Sequence, residues 1–219
     1  MENCQNQSQN QSQSQSQNSL DVQLNLIRMK KAFEPSEFVN KRTNEFLEYL
    51  ETYNLHTVVL SVSGGIDSAL SAVLFSRVLG SENVYLINMP SKFNSSLTKN
   101  AAFKLAENLN CPFASIGITN SIDHTKSQLN EISFLRSSSV LDISTLVFEN
   151  IQARDRGGRI LSALSASLKG VFSCNANKSE LTVGYSTLYG DQAGFLSPIA
   201  DLWKKDVYEL SKFYNKSKI

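Results

Sequence analysis

A chain of 219 residues is long enough for one substantial hydrophobic core and a small appendage, and too short for two ordinary enzyme domains. Its apolar fraction of 41% suits a globule, and no uninterrupted apolar run approaches the roughly 20 residues that cross a bilayer, which excludes a membrane span. With 21 Lys and Arg against 20 Asp and Glu the net charge is +1, so the chain lacks the basic excess of a nucleic-acid binder and any phosphate recognition must be local.

Residues 1–19 alternate Gln with Ser or Asn and offer too little apolar surface to offset the entropy lost on ordering. They are predicted to be a disordered tail, with neither the apolar stretch of a secretory signal nor the arginines of a mitochondrial presequence, ahead of a single domain over 20–219. From 20 to 54 the apolar positions Leu24, Ile27, Phe38, Phe46, Leu47 and Leu50 recur at helical intervals, broken at Pro35. The β-branched run 57–62 reads as a buried strand, followed by a Gly-Gly turn and a helix over 68–79. The alternation continues with a strand over 84–89, a helix over 95–109, a strand over 113–118 and a helix over 121–132. Residues 143–168 read as mostly helical, 170–173 as a short strand, and 204–214 as a last helix with Val207, Tyr208, Leu210 and Phe213 available to face inward. Strands separated by helices of this length pair in parallel through crossover connections, so the expected fold is α/β, a doubly wound parallel sheet flanked by helices. Ligands then bind beyond the carboxyl ends of the strands, which directs attention to residues just after Val62, Met89, Ile118 and Cys174.

Ser63-Gly64-Gly65-Ile66-Asp67-Ser68 follows the first strand. Successive glycines let backbone amides converge on one concavity, and the helix N-terminus with the Ser63 and Ser68 hydroxyls adds donors suited to phosphate oxygens. The segment has no Walker lysine and carries an aspartate, which polyphosphate would repel unless a divalent cation lay between them; Asp67 is therefore a candidate Mg²⁺ ligand. The plainer alternative is a tight turn with Asp67 as a helix cap. Cys4, Cys111 and Cys174 are odd in number and far apart, which suits neither a disulfide framework nor a Cys-x-x-Cys metal site and implies a reducing, cytoplasmic compartment. Cys174 has no histidine in its own segment to make it a nucleophile, and His56 and His124 are isolated.

The Ser-Gly-Gly-x-Asp-Ser turn resembles the pyrophosphate loop of the N-type ATP pyrophosphatases. Met89-Pro90-Ser91-Lys92-Phe93, Glu149-Asn150-Ile151-Gln152-Ala153-Arg154-Asp155-Arg156, Asn177-Lys178-Ser179-Glu180 with Leu181 to Tyr185, Thr187-Leu188-Tyr189-Gly190-Asp191, Pro198 and Lys204 narrow the likeness. In this order and spacing they resemble NAD synthetase, nearest the synthetase domain of its glutamine-dependent subtype. The resemblance implies an adenine nucleotide alpha hydrolase-like, Rossmann-like fold. It also implies ATP-dependent amidation of deamido-NAD to NAD through an NAD-adenylate, releasing AMP and pyrophosphate, with ammonia or glutamine-derived ammonia as donor. It implies further that Ser63, Gly64, Gly65, Asp67, Ser68, Asn175 and Lys204 bind ATP, with Asp67 and Lys204 catalytic. Asn150, Arg154 and Glu180 would contact deamido-NAD, and Asp67 and Glu180 would hold Mg²⁺. Only one of Arg154 and Arg156 need serve the site, the other pairing with Asp155 or Glu149, and Lys205 is expected to be merely solvated.

Against the family pattern, Cys174 and Asn175 stand where Gly-Thr or Gly-Ser is common, and Leu188 and Phe195 replace a lysine and an aspartate of the ammonia-dependent subtype. Nothing before Leu20 resembles a glutaminase domain, and Ile219 follows soon after the Lys204 helix, so the domain is expected to be C-terminally incomplete. The implied working form is a homodimer with deamido-NAD near the subunit contact and a separate glutaminase as a candidate partner, without nucleic-acid or membrane partners. The alternatives are a nucleotide-binding remnant and another ATP pyrophosphatase such as GMP synthetase.

Overall fold

The computed structural model describes residues 33–91 and 96–216. Contacts divide the chain into Met1–Glu34 and Pro35–Ile219, and every element below belongs to the second unit. The expected tail, the helical stretch expected over 20–32, and Lys92 and Phe93 lie outside the described residues.

Helix α1 (Pro35–Thr52) buries Phe46 and Leu50, and Phe46 stacks on Phe75 with ring centroids 5.5 Å apart. Strand β1 (Val58–Ser61) is apolar at three successive positions and all three are buried, the signature of a strand covered on both faces. Helix α2 (Ile66–Leu79), strand β2 (Val84–Asn88), helix α3 (Ser96–Leu109), strand β3 (Phe113–Ser115) and helix α4 (Thr119–Asn130) follow. After them come helix α5 (Thr145–Arg154), a π-helical segment (Asp155–Leu161), helix α6 (Ser162–Ser167) and strand β4 (Val171–Phe172). Helices α7 (Lys178–Val183) and α8 (Lys204–Lys216) complete the order.

All strand pairs are parallel and run β3-β2-β1-β4, confirming the doubly wound sheet expected from the alternation. Val59, Ile87 and Met89 pack with Ile118, Ile122, Ile160 and Leu161 on one face. Strand side chains alternate, so Leu60 and Leu86 point to the other face, where α2 lies against β1 and β2. Helices α1 and α8 pack outside α2, with Val207 and Leu210 of α8 fully buried. Tyr208, expected to face inward, is instead exposed. Among the described residues no helix is long and apolar enough to cross a membrane.

Most boundaries shift by one or two residues from the sequence expectation, and three differences bear on the site. Strand β3 ends at Ser115 rather than 118, although Ile116 N still donates to Asn88 O at 2.8 Å and Ile118 N to Pro90 O at 3.1 Å. Pro90 has no N–H to return, so the ladder cannot continue. Helix α2 starts two residues earlier than expected, directly on the glycine turn. The helical stretch expected over 143–168 changes to π geometry at Asp155, where Gly157 packs so tightly that a Cβ would lie 2.5 Å from Gly190 O. Such π segments recur at functional sites.

Candidate active site

Strand order reverses between β1 and β4, and the segments leaving these two strands, together with the end of α5, the π segment and residues 190–193, line a cavity of about 310 Å³. From β1 come Ser61 and the 63–68 turn. Gly64 adopts φ +87°, and a Cβ there would lie 2.4 Å from the Thr98 carbonyl oxygen, so only glycine lets α3 approach this bend. Gly65 caps α2 without any side-chain cap bond, leaving first-turn amides of the helix without the usual side-chain acceptor. The two hydroxyls brace the turn. Gly65 N donates to Ser63 Oγ at 3.2 Å, Ser68 Oγ donates to Gly65 O at 3.0 Å, and Ser63 N donates to Ser68 Oγ at 3.3 Å. Ser63, Gly65, Asp67 and Ser68 all still line the cavity, so the turn is shaped by these side chains and not filled by them.

From β4 come Asn175, Asn177 and Glu180. Asn175 Nδ2 donates to Ser61 O at 2.9 Å, tying the ends of β4 and β1 together and leaving one amide hydrogen for a ligand. Asn177 is fully buried and forms a reciprocal cap on α7: Glu180 N donates to Asn177 Oδ1 at 3.1 Å, and Asn177 N donates to Glu180 Oε2 at 3.2 Å. Its Nδ2 also donates to Asp67 Oδ1 at 3.0 Å. One asparagine thus orients both carboxylates. The Asn-x-x-Glu pattern ahead of α7 is a capping-box signal that identifies this residue from sequence, although it was absent from the expected site. Asn177→Ala is expected to cost about 1–2 kcal/mol, the worth of a lost cap, with Asn177→Ser recovering most of it. Urea unfolding midpoints check this, and an alanine midpoint equal to the native one would contradict it.

Asp67 and Glu180 face the same cavity. Lys204 Nζ of α8 pairs with Asp67 Oδ2 and stands 3.9 Å from Glu180 Oε1, placing an ammonium between the two carboxylates. No group of three His, Cys, Asp or Glu side chains suited to a metal occurs among the described residues. Mg²⁺, however, commonly takes one or two carboxylates and completes its shell with phosphate oxygens and water. The acidic pair fits that donor set, and the position of Lys204 shows that both carboxylates can share one cation. Lys205 is exposed and, among the described residues, pairs with Glu209 alone, at 3.7 Å.

The two arginines of α5 and the π segment separate as their spacing requires. Arg154 is exposed and its Nε donates to Leu188 O at 3.1 Å, while Asn150 Oδ1 accepts from Thr187 Oγ1 at 2.6 Å. Both predicted residues therefore hold the 187–191 turn, in which Tyr189 adopts φ +63°, and neither lines the cavity. The residue that does is Arg156, whose Nε donates to Met89 O at 3.1 Å. Burial pushes its guanidinium below the ordinary range, opposed by the nearby Asp155 charge. Asp155 itself bonds Arg159 Nε at 2.6 Å and Ser121 Oγ at 2.9 Å, so the expected pairing of a spare arginine with Asp155 falls to Arg159. Cys174 is buried and donates through Sγ to Asp191 O at 3.2 Å.

The NAD synthase family model matches residues 38–218. A glutamine-dependent NAD(+) synthetase of Thermotoga maritima is 38% identical over 168 residues, covering 77% of this chain and 28% of that protein. An NH(3)-dependent NAD(+) synthetase of Trichlorobacter lovleyi is 38% identical over 154 residues, covering 70% of this chain and 52% of that protein. The solved glutamine-dependent NAD+ synthetase of Acinetobacter baumannii, in complex with adenosine diphosphate, superposes with a TM-score of 0.75 at 31% identity, covering 85% of this chain and 34% of that one. The chain thus spans only about a third of the length of the glutamine-dependent relatives it matches.

Proposed function

Because the chain belongs to the NAD synthase family, we propose that it amidates deamido-NAD to NAD at the expense of ATP, using ammonia supplied free or by a separate glutaminase. The nicotinate carboxylate attacks the α-phosphorus of ATP, the bond to the β-phosphate oxygen breaks, and pyrophosphate leaves. Ammonia then attacks the acyl carbon of the adenylate, AMP departs with the bonding electrons, and the surplus protons pass to solvent. The convergence of Asp67 and Glu180 on a glycine-lined cavity at the strand-order reversal carries this reading.

In the first step an anion approaches an anion, so catalysis is chiefly positioning and charge neutralisation. The 63–68 turn cradles the pyrophosphate end of ATP through its amides and the Ser63 and Ser68 hydroxyls, with Asn175 donating beside it. Asp67 and Glu180 would hold Mg²⁺, which would supply positive charge beside the triphosphate. Lys204 is a mobile point charge that turns from the carboxylates to the leaving phosphates. Asn150 and Arg154 receive deamido-NAD at the 187–191 turn, where a second copy of the chain completes the site in a homodimer. Asp67 and Lys204 thus act on the reacting phosphates.

Purified protein with ATP, Mg²⁺, deamido-NAD and ammonium salt is expected to form NAD and AMP in equal amounts. Nucleotide binding without product would leave a binding module instead of an enzyme, and AMP release with xanthosine monophosphate in place of deamido-NAD would point to the GMP synthetase reaction.

A further inference from the structure

Arg156 is a cation kept half-buried beside the cavity, with the Asp155 charge nearby but hydrogen-bonded to other partners. Its one hydrogen bond among the described residues runs from Nε to the Met89 carbonyl. The neighbouring Asp155 carboxylate, only 8% exposed, is held by Arg159 through both Nε and Nη2, and by Ser121. The three carboxylates that line the cavity have other donors: Asp67 takes Asn177 and Lys204, Glu180 takes the Asn177 amide, and Asp191 takes the Thr187 amide. Among the described residues no carboxylate is hydrogen-bonded to the Nη edge of Arg156, while its Nε is pinned just beyond the end of β2. Removing a guanidinium from water with no carboxylate hydrogen-bonded to it is unfavourable, and a well-packed apolar residue of similar volume is commonly as stable or more so. Arginine stays ionised even under these conditions, so the cavity wall carries its charge. A fixed planar fork whose two Nη amino groups keep all four of their N–H donors matches an oxyanion in bidentate fashion.

We propose that Arg156 is the cavity's anion receptor, binding an oxyanion of the reacting pair, either the α-phosphoryl group of the nucleotide or the carboxylate that attacks it. This rests on the function proposed above and adds to it a residue whose role there was left unassigned. The pyrophosphate end already has the 63–68 turn and the Asp67–Glu180 pair, whereas Arg156 enters from the π segment, so it serves the part of the reaction that those groups do not reach. In the ligand-free protein Arg156 lowers stability, and the incoming anion removes that penalty.

Arg156→Met in the full chain separates this role from a structural one. Thermal unfolding is expected at the native temperature or above it. Calorimetric titration with α,β-methylene-ATP and with deamido-NAD is expected to show at least a tenfold loss of affinity for one of them, and the ligand that loses identifies the oxyanion. Arg156→Lys, which keeps the charge without the fork, is expected to recover only part of that affinity. Unfolding more than about 4 °C lower, failure of the Met variant to fold, or unchanged affinity for both ligands would overturn the proposal. If native protein binds neither ligand, the function reading fails on its own. Inorganic phosphate then decides the arginine: protection of native protein but not of Arg156→Met supports the receptor, and equal protection overturns it.

Discussion

Replacing Gly64 by alanine is expected to abolish nucleotide binding and to lower stability by about 2–4 kcal/mol, from backbone strain together with overpacking. Two features act at the same atom. The residue sits at φ +87°, where a side chain is strained, and the added Cβ would meet the Thr98 carbonyl oxygen at 2.4 Å. That oxygen belongs to the backbone of α3, so the clash cannot be relieved by turning a side chain. Either α3 shifts or the bend opens, and in both cases the amides of the turn lose their common focus. Gly65→Ala provides the comparison. Gly65 has φ −87°, and its added Cβ would meet only Ser63 Oγ at 3.2 Å. Its expected cost is below about 1 kcal/mol, the scale of an ordinary surface change. Urea unfolding and titration with α,β-methylene-ATP on both variants check the pair, and equal losses would mean that the close approach of α3 to Gly64 does not shape the turn.

Asp67→Asn is expected to reduce NAD formation with saturating ammonia by about 10²–10³-fold, the scale on which removal of one electrostatic stabiliser acts in other enzymes. The change is nearly isosteric and leaves an oxygen able to accept from Asn177, so unfolding temperature should move little. What disappears is the charge that Lys204 pairs with and that Mg²⁺ would share with Glu180. Lys205→Ala, one position from Lys204 yet 80% exposed and paired only along its own helix, is expected to stay within twofold of native. Steady-state rates over a Mg²⁺ series measure both. Comparable losses in the two variants would contradict the assignment of Asp67 to the metal.

Much of the scaffold was legible because local chemistry and global position agree in it. The β-branched run before Gly64 could only be a buried strand, and the glycine pair with Ser63 and Ser68 announced a turn opening onto a helix. The glycine turn was recognisable because its shape lies in backbone geometry that sequence specifies directly. The arginines were not, since the motif supplied Arg154 and Arg156 two residues apart without saying which side of the helical stretch faces the cavity. That depends on the packing of Gly157 against Gly190, a contact between segments distant in the chain. The bridging position of Lys204 was illegible for the same reason: α8 had to dock before its ammonium could meet Asp67 and Glu180. Tyr208 was misjudged because a helix period identifies a stripe, while the width of the buried stripe is set by what packs against it.

The junction of β1 and β4 is short, with only Val58 opposite Val171 and Val59 opposite Phe172, and it joins stretches far apart along the polypeptide. Asp67 hangs from one side of this seam and Glu180 from the other. Contacts that close long loops form late, and small contact patches open with the least free energy. The two cavity carboxylates are consequently stationed across the least reinforced line of the sheet, where a nucleotide spanning both edges would act as a rivet. Occupancy of the cavity and cohesion of the sheet are thereby two readings of one equilibrium.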